Sequence, residues 1–178
     1  NVMYHLLSVC PRDLGYEIKV EELKPGEEVR RKGYSIKAIR VEHGTPALGY
    51  VLQEDMRKGR FNREKAIELG VPPGPLFSKL HSGHPVQVGG KIIRPEQVVG
   101  PPRPGRKIVY SGDTRPCEDV AEAAKDADVL IHDGSLSHEL KDWALETMHS
   151  TAYEAAYMAK KAGVRMLFLI HISSRYSK

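Results

Sequence analysis

The sequence predicts an α/β fold in which a run of parallel strands is joined to an antiparallel hairpin. Three observations carry this. From Lys107 onward, strand-like and helix-like segments alternate with short links between them. Ahead of that region, two segments with partial period-two patterning flank a short turn-forming link. Between the two regions lies a stretch dominated by proline and glycine, which neither helix nor sheet interiors tolerate.

Val2, Leu6 and Val9, with Met3, Leu7 and Cys10 beside them, are spaced as on one face of an amphipathic helix that Pro11 stops. This helix is already under way at Asn1, and only Ser173–Lys178 follow the apolar strand Val164–Ile172. The chain therefore reads as an internal piece of a longer protein. Tyr34–Val41 alternates in part, and Ala47–Gln53 puts Leu48, Tyr50 and Leu52 on one face. His43-Gly44-Thr45-Pro46 between them reads as a hairpin connection. Residues 54–106 hold 8 of the 12 prolines and 8 of the 16 glycines, so they read as an arm between two core strands rather than as core. Within the arm only Asn62–Leu69 looks helical, and Val86–Ile93 suits a short ribbon turning at Gly89-Gly90. Beyond it come a strand at Lys107–Ser111, a helix at Cys117–Lys125 and a strand at Asp128–His132. A helix at Thr151–Ala162 follows, with Ser150 as N-cap and Gly163 just past its end, and then a strand at Val164–Ile170. Strands joined through helices in this way run parallel.

The chain has 178 residues, 40% hydrophobic and 28% charged, which is ordinary globular usage and excludes a collagen, a mucin-like stalk or a long disordered tail. The longest strictly apolar run, Met166–Ile170, is far short of the about 20 residues that span a bilayer, and no secretory signal pattern opens the chain. Two cysteines, Cys10 and Cys117, cannot make a disulfide framework or a cysteine-cluster zinc site. They fit a reducing compartment and suit plain core roles. The net charge of +4 is unevenly spread: residues 54–106 carry 10 Lys+Arg and 5 Asp+Glu, so the remainder is slightly acidic. Such asymmetry fits a polyanionic partner, and equally a solvated arm without one.

Parallel strands end on the same edge of a sheet, and sites in open α/β sheets form beyond that edge. The three strand ends bring Ser111-Gly112-Asp113-Thr114, His132-Asp133 and His171 to one rim. His149 precedes the second helix, whose start faces the same rim, and helix N-termini attract anions such as phosphate. Imidazole and carboxylate together suit a divalent metal, and a carboxylate such as Asp113 has two oxygens with which to bridge two ions. A metal pair activates water and stabilises a phosphoryl transition state, and His149 could protonate a leaving oxygen. Each residue also has a plainer reading. Asp113 would cap the next helix, His132 and His171 would be hydrogen-bonded structural histidines, His149 an exposed residue ahead of a helix, and His43 an inert link residue. His5, His81, His84 and His138 show no converging partner and read as surface residues.

The segment Tyr110-Ser111-Gly112-Asp113-Thr114-Arg115-Pro116 resembles a metal-binding motif of the ribonuclease Z family, tRNA 3′-processing endonucleases of the metallo-β-lactamase fold. Glu42-His43-Gly44-Thr45-Pro46-Ala47-Leu48-Gly49-Tyr50 is similar to that family's third-ligand loop, and His149-Ser150-Thr151-Ala152 to its His-Ser-Thr loop. Ile170-His171-Ile172-Ser173-Ser174-Arg175-Tyr176 is similar to its final ligand motif, and Val71-Pro72-Pro73-Gly74-Pro75 to the Gly-Pro element of its tRNA-gripping exosite. The motifs fall in the family's order and cover nearly the whole chain.

The resemblance implies a metallo-β-lactamase αβ/βα sandwich, here roughly its C-terminal half, with an inserted exosite arm over residues 54–106. It implies a zinc-dependent endoribonuclease, a phosphodiester hydrolase that removes 3′ trailers from precursor tRNA. It further implies a cytoplasmic homodimer in which one subunit's arm serves the other's active site, with no membrane attachment. His43 would bind one of two zinc ions, Asp113 would bridge both and His171 would bind the other. His149 would contact the scissile phosphate and protonate the leaving 3′ oxygen, with Asp133 as its carboxylate partner and Ser150 and Thr151 beside it at the substrate. Arg175 would hold the phosphate backbone. Gly74 and Pro75 would clamp the tRNA elbow, with a binding strength that falls as salt rises.

The chain departs from the family in three places. A His-x-His-x-Asp-His motif is absent from all 178 residues. His132-Asp133-Gly134-Ser135 stands where the family has His-Glu-Ala-Thr, one methylene shorter at the acid. The family's terminal elements after Tyr176 are missing. With His43, Asp113 and His171 alone, each zinc would have two protein ligands, one of them shared, where catalytic zinc has three. The chain by itself is therefore expected to bind zinc weakly and cleave RNA poorly, and its donor set would also suit manganese or iron. The other readings are a metallo-β-lactamase-fold phosphodiesterase with a different nucleic-acid substrate, and a non-catalytic RNA-binding fragment. Half a sandwich also exposes an apolar sheet face, which calls for a covering partner or lowers stability.

Overall fold

A computed structural model describes residues 19–176, so the helix expected over Val2–Cys10 lies outside the described residues. Strands β1 (Glu28–Arg31), β2 (Tyr34–Arg40) and β3 (Leu48–Glu54) form an antiparallel meander. Strand β1 has no apolar periodicity and was not legible as a strand. It exists because Lys32-Gly33 makes a two-residue turn, with Gly33 at φ 91°, that lays it along β2.

The arm follows. It contains α1 (Arg63–Glu68), α2 (Pro75–His81) and a ribbon of β4 (Val86–Val88) and β5 (Lys91–Ile93). The second of these helices was not expected. Pro75 occupies its first turn, where the fixed φ and missing N–H of proline do no harm, and exposed Gly74 is its N-cap. The arm is no part of the main core, but it builds a core of its own from Ala66, Val71, Leu80, Val86, Ile93 and Val98. Two chain segments form its neck, where Arg57 and Arg103 exchange backbone hydrogen bonds of 2.8 Å. The segments approach so closely that a Cβ on Gly59 would lie 1.8 Å from the Gly100 carbonyl oxygen, and one on Gly105 would lie 2.2 Å from that of Glu54.

The chain returns as β6 (Lys107–Tyr110), antiparallel to β3. There follow α3 (Glu118–Ala123), β7 (Val129–Asp133), α4 (Lys141–Glu146), α5 (Ala152–Lys161) and β8 (Leu167–Ile170). Strands β6, β7 and β8 are parallel, and the whole sheet runs β1-β2-β3-β6-β7-β8. Helix α4 was not anticipated, and the last strand begins later than expected. Thr151, not Ser150, caps α5: its Oγ accepts from the Glu154 N–H at 3.2 Å, and Glu154 reaches back to the Thr151 N–H at 3.0 Å.

Side chains alternate across each strand. Ile39, Val51, Val109, Leu130 and Leu167 face α3 and α5, and with Val120, Ala124, Met158 and Ala159 they form the main core. The opposite face carries Ile36, Tyr50, Leu52, Ile108, Tyr110 and Ile131, which with Glu21 and Leu23 line a concave surface that no helix covers among the described residues. Tyr50, Tyr110 and Phe168 are 37%, 42% and 51% exposed there. Among the described residues no helix is long and apolar enough to cross a membrane.

The topology separates two ends of the sheet. Tyr50 pairs with Tyr110 and Gln53 with Lys107. The β2–β3 link and the loops leaving β6, β7 and β8 therefore share one edge, while the arm is rooted at the other.

Candidate functional site

The shared edge gathers loops that are distant in sequence. The β2–β3 link, carrying His43, is tied to the loop after β6, carrying Asp113. The Glu42 N–H donates to Thr114 Oγ1 at 3.0 Å, the Arg115 N–H donates to the Glu42 carbonyl at 2.9 Å, and Arg115 Nε–H donates to Glu42 Oε2 at 2.6 Å. Gly112, at φ 64°, turns the chain after β6. Met148 and His171 are non-glycine residues held in left-handed backbone, at φ 61° and 60°. Such conformations cost on the order of 1–3 kcal/mol and persist where the surroundings over-determine them. Both positions are at this edge.

The side chains form a row. The His43 and His149 rings are 5.0 Å apart, the His149 and His171 rings stack at 4.8 Å and 17°, and His171 Nε2 lies 3.6 Å from Asp113 Oδ2. Asp113 and His171 are direct neighbours, whereas His43 is separated from both by His149. Behind the row, Asp133 is fully buried. Its Oδ2 accepts from His149 Nδ1 at 2.7 Å and from the Thr114 N–H at 3.1 Å. Its Oδ1 accepts from the Ser135 N–H at 2.9 Å and the Ser135 hydroxyl at 2.6 Å. Ser135 Oγ also lies 2.7 Å from His171 Nδ1.

One ligating atom each from Asp133, His149 and His171 lie within 4.8 Å of one another. Of the three, Asp133 has both carboxylate oxygens engaged and no solvent exposure, so it already holds its neighbouring side chains. The outward atoms fit a metal better. His43 Nδ1–H donates to the Met148 carbonyl at 3.1 Å and His171 Nδ1 is engaged by Ser135, so each ring has its Nε2 left for a ligand. A hydrogen bond on the far nitrogen is how metal-binding imidazoles are oriented. Asp113, about two-fifths exposed, faces His171 Nε2 at 3.6 Å as an open imidazole–carboxylate pair, whereas His43 lies one ring further along the row and forms no three-donor group with them among the described residues.

Other expected residues are placed differently. Ser150 and Thr151 are fully buried. The Ser150 hydroxyl donates to the Thr114 carbonyl at 2.7 Å and Thr151 is spent in its capping box, so both hold the His149 loop and neither faces a ligand. The same box occupies the start of α5, which is therefore no open anion site. Arg175 stacks over Trp143 at 4.1 Å and donates from Nε to Ser173 Oγ at 3.0 Å. His132, expected as a satisfied core histidine, is only half satisfied: Nδ1 bonds the Asp133 carbonyl at 2.8 Å, and Nε2 is buried without a partner among the described residues. Burial pushes its pKa down, against the smaller opposing pull of that carbonyl. His81 and His138 do have partners. His81 Nε2 bonds the Gly59 carbonyl at 2.9 Å, and the His138 ring lies 4.5 Å from Tyr153.

Sequence reasoning missed Ser135, Thr114, Trp143 and the Met148 carbonyl. Ser135 and Thr114 sat inside the quoted motifs. The chain's one tryptophan was a signal in itself, but a backbone oxygen leaves no trace in a sequence.

A family model described as a beta-lactamase superfamily domain matches residues 74–172. Among curated relatives, Ribonuclease Z of Methanosarcina acetivorans is 65% identical over 165 residues, covering 93% of this chain and 54% of that protein. Ribonuclease Z of Methanosarcina mazei is 61% identical over 175 residues, covering 98% and 57%. The chain thus spans about half the length of the curated relatives it matches. A crystal structure of human tRNase Z, short form, superposes with a TM-score of 0.52 at 23% identity, over 84% of this chain and 40% of that one.

Proposed function

The chain belongs to the beta-lactamase superfamily, and from that premise we propose that it is part of a metal-dependent endoribonuclease that removes 3′ trailers from precursor tRNA. The carrying observation is the row His43, His149, His171 and Asp113 backed by buried Asp133. Its likeness to proteins named Ribonuclease Z supplies the substrate class.

His43, Asp113 and His171 would hold zinc, Asp113 shared between two ions. A divalent metal held there would supply an activated water and positive charge against a phosphate. The remaining work belongs to the protein. Asp133 occupies His149 at Nδ1, so His149 exchanges protons at Nε2. From there it protonates the leaving 3′ oxygen, and Asp133 stabilises the ring while it is charged. Arg175, braced on Trp143, presents its remaining N–H groups to the RNA backbone. The arm, with Gly74 and Pro75 exposed on it, grips tRNA away from the cut through its basic surface.

Roots of the arm and the row lie at opposite ends of β3, roughly 20 Å apart for seven strand residues. A homodimer in which one subunit's arm serves the other's site is what the resemblance implies. The free thiol at buried Cys117 accords with a reducing, cytoplasmic location. With two protein ligands per zinc, one shared, the chain alone should bind zinc weakly and cleave poorly.

The test compares precursor tRNA and a small phosphodiester as substrates for the product of the full reading frame containing this segment, with and without residues 54–106. The expected result is loss of tRNA affinity with retained cleavage of the small substrate. Unchanged tRNA affinity would sink the role of the arm. Absence of metal-dependent cleavage in both forms would leave a pure RNA-binding module.

A further inference from the structure

We infer that Ser135 is a positioning residue that sets which nitrogen of His171 carries the proton. Asp133, as a carboxylate, only accepts hydrogen bonds. The Ser135 hydroxyl has a single proton, and its 2.6 Å approach to Asp133 Oδ1 commits that proton to the carboxylate. The hydroxyl oxygen can then only accept from His171 Nδ1, 2.7 Å away, so this nitrogen carries a proton. His149 Nδ1 is 3.5 Å from the same hydroxyl, too far to compete, and is taken by Asp133 Oδ2 at 2.7 Å.

One buried carboxylate therefore orients two histidines. It holds His149 directly and His171 through the Ser135 hydroxyl. In neutral His171 the Nε2 lone pair then faces Asp113 Oδ2 at 3.6 Å. Two acceptors facing each other at that distance share no proton and call for a cation between or beside them. Ser135 is buried, so water cannot take over its hydroxyl's place without a rearrangement. This inference rests on the reading of His171 as a metal ligand only for its effect on metal binding; the tautomer itself does not depend on that reading.

The experiment is nitrogen NMR of the histidine rings in metal-free protein from the full reading frame, above the ordinary imidazole pKa of about 6.5, with zinc affinity measured in parallel by competition with a chelator. In the unsubstituted protein His171 should show a protonated Nδ1 and a bare Nε2. Ser135→Ala should mix the two His171 tautomers, leave His149 in its Nδ1–H form and weaken zinc binding by about 10–100-fold. Ser135→Thr, which keeps the hydroxyl, should restore both. Finding Nε2–H on His171 in the unsubstituted protein overturns the inference without any variant. So does a Ser135→Ala protein with an unaltered His171 tautomer. Nδ1–H on His171 in the unsubstituted protein and mixed tautomers in Ser135→Ala, with no zinc binding in any form, would instead defeat the metal-site reading and leave the Ser135 assignment standing.

Discussion

His149 Nδ1 lies 2.7 Å from Oδ2 of Asp133, a carboxylate with no solvent exposure. The acid is one methylene shorter than the glutamate that the resemblance implies, yet it reaches the ring. It does so because β7 ends on Asp133 itself, and Ser135 and Thr114 pin both carboxylate oxygens. A buried group so fully bonded is a fixed platform, and removing it leaves the donors around it without their acceptor.

Asp133→Asn should therefore destabilise the fold by about 1–3 kcal/mol, the cost of leaving a buried donor without its acceptor. An amide in its place would aim donors at donors. His149→Ala is milder on stability, because His149 is partly exposed. It should lower cleavage by about 10²–10⁴-fold, the scale of lost general acid catalysis. Urea titration and single-turnover cleavage separate the two effects. Wild-type cleavage by His149→Ala would remove it from the chemistry.

His132 makes stability pH-dependent. Burial lowers its pKa in the folded chain below the ordinary 6.5, so the unfolded chain binds the extra proton first. The stabilisation is complete above the unfolded value and is lost as pH falls through 6.5 toward the lower folded value. His132→Asn, which keeps a donor for the Asp133 carbonyl, should flatten this part of the profile. Chemical denaturation at successive pH values decides, and an unchanged slope in the variant would assign the dependence to another group.

Gly59→Ala should disorder the neck of the arm. Its Cβ would meet the Gly100 carbonyl oxygen at 1.8 Å, a backbone atom that cannot swing aside. Overpacking of this kind costs about 1–3 kcal/mol or more. Hydrogen exchange should rise across residues 55–61 and 99–105 while β6, β7 and β8 stay protected. Precursor tRNA affinity should fall without loss of small-substrate cleavage. Equal exchange in both proteins would show that the neck yields more easily than its backbone packing implies.

Trp143→Ala should weaken RNA binding through Arg175. The guanidinium stacks 4.1 Å from the indole centroid on an exposed surface, where such contacts are worth about 0.5–1 kcal/mol. KM for precursor tRNA should rise about two- to fivefold with kcat unchanged, and Trp143→Phe should recover part of the loss. Arg175→Ala should have the larger effect and reduce the salt dependence of binding. A fall in kcat alone would place the pair closer to the chemistry.

Strands β6, β7 and β8, and the rim beyond them, were legible from the residues. Buried strands and the helices between them leave apolar patterns within a few neighbours, and parallel direction follows from the short links. Asp113, Asp133, His149 and His171 could be brought to one edge on that basis. The arm was legible as an insertion through its proline and glycine, but its own core was not, because Ala66, Val71, Leu80, Val86, Ile93 and Val98 are too scattered to show a period. Strand β1 (EVRR) was hidden because only its pairing with β2 makes it a strand.

The internal order of the site was decided by tertiary packing. Nothing near His43 announces that its ring bonds a carbonyl 105 residues away, or that Thr114 accepts from a backbone 72 residues earlier. Apolar periodicity reports which faces are buried, and burial is local in sequence. Hydrogen-bond direction and ring stacking depend on where separate loops meet, and that is settled only when the sheet brings its ends together.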